Sequence, residues 1–298
     1  MQPAGQTVAI TLLAVPNLSE GRHAATVEAL GEAFAQGGAQ VLDVHVDPDH
    51  DRSVFTLAAE PGALAEALVS GARVAVERID MRGYGGAHPS VGALDVAPVV
   101  HVDPAGRGAA WAEALVAADE LARQLAVPVL LYGALAGGRT RAELRRGGLS
   151  ELARRLERAE LTTDFGPSRP HPSAGVTLVA ARPPLVAFNL ELAPPAGLEE
   201  ARAIAAAIRD GGPEGIGGVR AIGVWLAGRG LAQVSCNVED AAATPLRLLV
   251  EAVRRHATVS GAELVGLAPR AALTEFPGDV PIRGFDPANQ VIENALGL

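Results

Sequence analysis

The chain contains no lysine; every one of its 25 basic residues is an arginine. Schiff-base chemistry on a lysine is therefore excluded, and a ligand carboxylate must be met by Arg, His or backbone N–H. Cysteine is reduced to Cys236 alone, which excludes an intrachain disulfide and leaves no set of thiolates for a metal. No long hydrophobic run is present. The longest uncharged apolar stretch, Leu125 to Gly138, is broken by Pro128 and is too short for a ~20-residue membrane span. The start of the sequence lacks the basic region of a secretion signal. A net charge of −9 argues against general nucleic-acid binding, which needs a basic field. The expectation is a cytoplasmic protein with neither membrane nor nucleic acid as a partner.

What is present is globular. With 298 residues, 49% of them hydrophobic, the chain can build about two domains of ~150 residues each. The first half reads as strand, helix, strand, strand, helix, strand. Val8–Val15 is an apolar strand ending at Pro16-Asn17, and a helix follows over His23–Gln36. Val41–Asp47 alternates, with Leu42, Val44 and Val46 on one face and Asp43, His45 and Asp47 on the other. Arg52–Leu57 is its partner strand, Gly62–Ile79 a helix, Leu94–Val102 a strand, and Trp111–Leu125 an amphipathic helix. The arginine-rich run from Arg139 to Arg158 reads as one or two solvated helices.

Thr162 to Gly175 then breaks the pattern with three prolines and two glycines, and marks the boundary between domains 1–175 and 176–298. Beyond it, Val176–Val179 and Leu185–Leu192 read as strands and Leu198–Arg209 as a helix. Arg220–Leu226 and Ala232–Val238 form a hairpin, Leu246–Val253 a helix, and Leu264–Leu267 a short strand. Similar element order in both halves predicts an α+β fold of two sandwiches, each an antiparallel sheet backed by helices.

In Ala232–Val238, Ala232, Val234, Cys236 and Val238 face one way and Gln233, Ser235 and Asn237 the other. Helices on one side of a sheet leave its other face open. If the two sheets pack face to face, this neutral polar row and the row Asp43, His45, Asp47 line a shared cleft suited to a flat, heteroatom-rich ligand. The cluster around His45, His50 and Asp51 shows no metal-site register, and Pro48-Asp49 explains acids there as turn chemistry. No metal is expected. The loop Tyr84–Gly92 (YGGAHPSVG) sets His88 among glycines that admit close backbone approach, with Pro89 stiffening it. An imidazole titrates near ~6.5 and can both take and return a proton.

Five blocks carry a resemblance: VPNLSEG (Val15–Gly21), IDMRGYGGAHPSVGALDV (Ile79–Val96), DFGPS (Asp164–Ser168), AQVSCN (Ala232–Asn237) and LVGLAP (Leu264–Pro269). In this order, over nearly the whole chain, they resemble the glutamate formiminotransferase family. The resemblance implies two ferredoxin-like subdomains with a folate-binding tunnel between their sheets, a homodimer, and no cyclodeaminase part. His88 matches the catalytic histidine. The folate-contacting segment matches Gly166, Pro167, Ser168, Arg169, Pro170, His171, Pro172, Ser173, Ala174 and Gly175. Asn17, Ser19, Asp43, His45, Arg52, Gln233, Ser235 and Asn237 complete the expected binding set.

The reaction so implied moves a formimino group from N-formiminoglutamate to N5 of tetrahydrofolate, a co-substrate, as in histidine degradation. One imidazole takes the N5 proton and gives one to the leaving nitrogen. Asp43 or His45 is expected to orient His88 or the pterin, and Arg52, Arg82 and Arg169 to recognise carboxylates. Ala87 stands where better-known members carry Glu, Ser90 where they carry Arg, and His45 where the animal enzymes carry Asp. These departures open three alternatives: a different donor such as formiminoglycine, a non-catalytic folate-binding protein, and a folate-independent hydrolase.

Overall fold

The computed structural model describes residues 11–298, so the first part of the strand expected from Val8 lies outside the described residues. Leu12–Ala14 (β1) and Asn17–Leu18 (β2) follow one another across Val15-Pro16. Proline donates no N–H to a ladder, so the break falls there. Helix α1 (Ala24–Gln36) buries Val27, Leu30, Ala33 and Phe34, the spacing of a single helical stripe. The hairpin β3 (Gln40–Asp47) and β4 (Arg52–Ala59), helix α2 (Leu64–Arg78) and β5 (Leu94–His101) complete a βαββαβ unit. Its strands are antiparallel and run β5, β1/β2, β4, β3 across the sheet.

Helix α3 (Arg107–Leu125) leads to β6 (Val129–Leu131). The arginine-rich run forms two helices, α4 (Arg141–Arg145) and α5 (Gly148–Glu157). Then β7 (Thr177–Arg182) lies parallel to β5 and to β6, extending the first sheet to seven strands. This corrects the expected organisation, because a strand assigned to the second half completes the first sheet beyond residue 175. The Pro/Gly-rich segment is an insertion before the last strand rather than a link between lobes. Local composition marks an irregular segment but cannot say which sheet the next strand joins.

The second unit repeats the pattern with β8 (Val186–Leu192), α6 (Leu198–Ile208), β9 (Val219–Leu226), β10 (Leu231–Val238), α7 (Leu246–Arg254) and β11 (Val259–Val265). Its strand order is β11, β8, β10, β9, equivalent to the first unit's βαββαβ order. The short strand expected at Leu264–Leu267 is the end of β11, whose earlier residues include a glycine and a register shift that hide its alternation.

Helices α1–α3 cover one face of the first sheet, α4 and α5 cover the other face over β5, β6 and β7, and α6 and α7 cover one face of the second sheet. Leu12, Ala14, Phe55, Leu57, Ala97 and Val99 join the core under α1–α3, whereas Leu13, Ala58 and Val100 face the other way. In the second unit Phe188, Leu190, Ala232, Val234, Cys236 and Val238 form the helix-side core, and burial pushes the Cys236 thiol up to about 12. The part of this second face left uncovered by α4 and α5 meets the helix-free face of the second sheet. Two short C-terminal helices, α8 (Pro287–Gln290) and α9 (Ile292–Ala295), close one end of the seam, with Ile292 packing on Leu13, Ala58 and Val100.

Candidate active site

Residue Asp95 is the second residue of β5 and is fully buried. A carboxylate taken out of water must be paired. It accepts a hydrogen bond from Arg52 Nη1 at 2.9 Å, from Arg145 Nη2, and from the Val91 backbone N–H at 3.0 Å. Although burial alone would raise it, the two guanidiniums hold its carboxyl below the usual range. Arg52 also donates to Asn17 Oδ1, from Nε at 3.1 Å and Nη2 at 2.9 Å. Arg52 is therefore engaged on three sides and does not serve as the free carboxylate anchor expected from the sequence. Arg145, in a run expected to be solvated, instead turns inward.

Beside this cluster lies the loop carrying His88, which is half-buried. Its Nδ1 is 2.8 Å from the Pro89 carbonyl oxygen. A carbonyl only accepts, so Nδ1 carries the proton and Nε2 presents the lone pair. Burial pushes the imidazole well below its ordinary range, and the cations Arg52 and Arg145 and the neighbouring His50 push it further. A neutral base therefore persists at neutral pH.

The loop is clasped to the turn before β4. Ala87 N–H donates to the Asp49 carbonyl at 3.2 Å. The Tyr84 hydroxyl lies within donating distance of two carbonyls, of His50 at 3.1 Å and of His88 at 3.0 Å. A Cβ at Gly86 would come 2.3 Å from the His50 carbonyl oxygen, so only glycine lets the loop lie this close. The other side of the loop is held by Ser19, whose hydroxyl donates to the Gly92 carbonyl at 2.7 Å and lies 2.6 Å from the Ser90 hydroxyl.

The proline-rich segment splits in two. Its end docks on the His88 loop: Ala93 N–H donates to Ala174 O at 2.9 Å, Met81 N–H to Ser173 O at 2.8 Å, and Gly92 bridges Gly175. His171 closes this turn, its Nδ1 accepting from the Ala174 N–H at 3.1 Å. Pro170 is half-buried, whereas Pro172 and its predecessors Gly166, Pro167, Ser168 and Arg169 are exposed. Gly166 backs onto Ala122 of α3.

A narrow cavity of about 60 Å³ lies between the facing sides of the two sheets, with Val54, Val96, Val100, Val265 and Leu267 among its apolar walls. Its polar side chains are Asn17, Thr56, Asn237, Arg141 and Arg182. Through Asn17 it adjoins the Arg52–Asp95 cluster; His88 itself is not in the lining. Thus a mixed wall, rather than the expected polar cleft, faces the space. Arg182 donates from Nη1 to the Pro183 carbonyl at 2.9 Å while its Nε is buried without a partner. Burial brings its guanidinium down to about 10, still charged at neutral pH. Arg141 stacks over Tyr132, 5.7 Å from the ring centroid.

The other expected residues form an ionic seam. Asp47 and His45 of β3 meet Arg229 of the β9–β10 turn and Glu263 of β11, at 3.1 Å for Asp47–Arg229 and 3.5 Å for His45 Nε2–Glu263. Gln233 and Asn189 donate to Glu263, at 3.4 and 3.1 Å. Ser235 is half-buried on the same face. Asp43 is held above the usual carboxylate range by burial, with Oδ2 unpartnered. The imidazole next to His88 is that of His50, not His45, with ring centroids 6.2 Å apart. Arg82 pairs with Asp80 on the surface.

Sequence reasoning missed Asp95, Arg145, Glu263 and His50. One signal was available: Asp95 is the lone charge in an otherwise apolar strand, which demands a buried cation. Glu263 is likewise the lone charge of β11.

Residues 11–182 match the formiminotransferase domain, N-terminal subdomain, and residues 187–277 match the formiminotransferase domain. This chain belongs to the formiminotransferase family. It is 35% identical to a glutamate formimidoyltransferase of Streptococcus pyogenes serotype M1, over 95% of this chain and 97% of that protein. A glutamate formimidoyltransferase of Thermoplasma acidophilum is 32% identical over 92% of this chain and 94% of its own length. The formimidoyltransferase-cyclodeaminase of Rattus norvegicus is 38% identical over 88% of this chain. The chain spans about half the length of that relative.

Proposed function

We propose that this formiminotransferase-family chain transfers a formimino group from N-formiminoglutamate to N5 of tetrahydrofolate, with His88 as the acid–base residue. The observation that carries the reading is the state of His88: a neutral imidazole with Nδ1 fixed on Pro89 O and no hydrogen bond at Nε2 among the described residues. As N5 bonds to the formimino carbon it loses a proton, which Nε2 accepts; as the old C–N bond breaks, the leaving nitrogen takes a proton back. No net proton is gained or lost.

The two ferredoxin-like units supply the rest of this reading. Asn17, Thr56 and Asn237 offer neutral hydrogen bonds to a pterin, and segment Gly166–Gly175 flanks it. Arg141 and Arg182 are the cations available for a ligand carboxylate, in place of Arg52, which is engaged by Asp95. A cavity of about 60 Å³ is below the ~300–1,000 Å³ of small-molecule pockets. Folate binding in a tunnel between the sheets therefore requires the seam to widen. Among the described residues no helix is long and apolar enough to cross a membrane. A homodimer fits the apolar edge surface of Val44 and Val46 on β3 and Trp225 on β9.

A second reading, the same chemistry with a smaller donor, is favoured by Ser90. Its hydroxyl bonds to Ser19 and the Gly92 carbonyl and offers no charge to a second carboxylate. Turnover with tetrahydrofolate and either N-formiminoglutamate or formiminoglycine separates the two. Release of formamide without folate, or folate binding without turnover on either donor, rejects both.

A further inference from the structure

His50 was given no task by the reaction as written, yet it lies against the residue that has one. It is buried, 6% exposed, and its Nε2 has no hydrogen-bond partner. A buried ring nitrogen left unpaired is costly and calls for an explanation. The turn that carries it is fixed from three directions: the His50 N–H donates to Asp47 Oδ1 at 2.8 Å, Tyr84 reaches its carbonyl, and Asp49 accepts from Gly228 N–H of the other lobe at 2.6 Å. The His50 and His88 rings are thereby held 6.2 Å apart and tilted by 54°. That separation is too long for a direct hydrogen bond between ring nitrogens and suits one bridging oxygen or nitrogen.

We propose that His50 is a proton-relay partner of His88, the two imidazoles exchanging a proton through one bridging water or ligand atom. The inference rests on the transferase reading above. One observation makes a second ring useful. The Nδ1 bond to Pro89 O prevents His88 from turning, so it has one working nitrogen. In the relay, the N5 proton passes to His88 Nε2 as the N5–C bond forms. It moves across the bridge to His50, and the leaving nitrogen takes a proton from the pair as its C–N bond breaks. The pair ends with the protons it began with, and nothing is oxidised or reduced.

The charges around the pair are all on hand. His50 faces Asp47, Glu263, Arg52 and Arg229; His88 faces Arg52, Arg145 and His50. Burial dominates at both rings and keeps them neutral, so each can accept a proton at neutral pH.

The test compares His50→Gln and His50→Phe with the wild-type chain, using tetrahydrofolate with either formimino donor. The relay predicts a kcat loss of about tenfold or more in both variants, a displaced acid limb of the kcat–pH profile, and a KM for tetrahydrofolate within about twofold. Nuclear magnetic resonance titration of His88 supplies a readout independent of turnover. Its midpoint rises in both variants, because a neighbouring ring that lowers it has been removed. Unchanged kcat and pH profile overturn the relay, as does a His88 titration indifferent to residue 50. A kcat loss matched by loss of folate-induced heat stabilisation also overturns it in favour of a packing role. If wild type transfers from neither donor, the transferase reading fails while the titration still decides whether the rings are coupled. Should either variant fail to fold, His50→Asn replaces it.

Discussion

The Nδ1 nitrogen of His88 donates to the carbonyl oxygen of Pro89, its own neighbour in the chain, at 2.8 Å. This bond selects one tautomer and leaves Nε2 as the basic nitrogen. Burial and the nearby guanidiniums lower the imidazole's affinity for protons. On the acid side, kcat/KM is therefore expected to fall only below the ordinary imidazole value of ~6.5, since the base stays neutral until then. A rate profile collapsing at or above that value contradicts the assignment. His88→Ala should lower kcat by about 10²–10⁴-fold while folate still raises the unfolding midpoint in a heat scan.

Asp95→Asn removes the carboxylate shared by Arg52 and Arg145. Two buried cations are left uncompensated, and breaking a buried pair costs about 3–5 kcal/mol. The sign with pH follows from the lowered carboxyl. Its contribution is fully present above the unfolded value of ~3.9 and is lost as pH falls through the lower folded value. Urea unfolding of both proteins at neutral pH and at pH 3 checks this; equal stability at neutral pH would refute the role given to the cluster.

Arg182→Gln tests the carboxylate anchor. The guanidinium is buried with Nε unpartnered, so the folded protein loses little when the charge goes. Charge-assisted hydrogen bonds contribute about 1.5–3 kcal/mol, which corresponds to a KM rise of about tenfold to a hundredfold for a carboxylate-bearing substrate. Steady-state kinetics varying donor and folate separately show which carboxylate it meets. No change in either KM removes Arg182 from the site.

Arg229→Ala opens the seam between the lobes. Arg229 donates to Glu191 at 2.8 Å and to Asp47 at 3.1 Å and lies 3.9 Å from buried Glu263. Removing it leaves Asp47, Asp49, Glu191 and Glu263 together, with Arg283 the only arginine among the described residues still paired to the two glutamates, and a loss of about 3 kcal/mol is expected, at the low end for a broken buried pair because the arginine is partly solvated. Chemical denaturation measures it, and a loss below about 0.5 kcal/mol would show the seam to be a solvated surface pair.

Much of this was legible in the sequence because it is local. Val27, Leu30 and Phe34 repeat with a helical period, and Ala232–Val238 alternates with the period of a strand. The His88 loop stood out through its glycines, and Gly86 does lie where a Cβ would strike the His50 carbonyl. The strand expected at Val176–Val179 forms as β7, Thr177–Arg182, but in the first sheet rather than the second, since its parallel partners β5 and β6 are supplied by distant chain. Arg145 read as surface in an arginine-rich run, because nothing within that run reveals a carboxylate fifty positions earlier.

By itself, the sequence determined most of the elements, the apolar helix-side faces of both sheets and the loop that offers an imidazole. These depend on periodicity and backbone chemistry within about a dozen residues. Only the tertiary structure decided that Arg52 is spent on Asp95, that His45 meets Glu263, and that His50 rather than His45 neighbours His88. Charges buried in a low-dielectric interior take whichever partner the packing brings within reach, and that partner is set by how the sheets close.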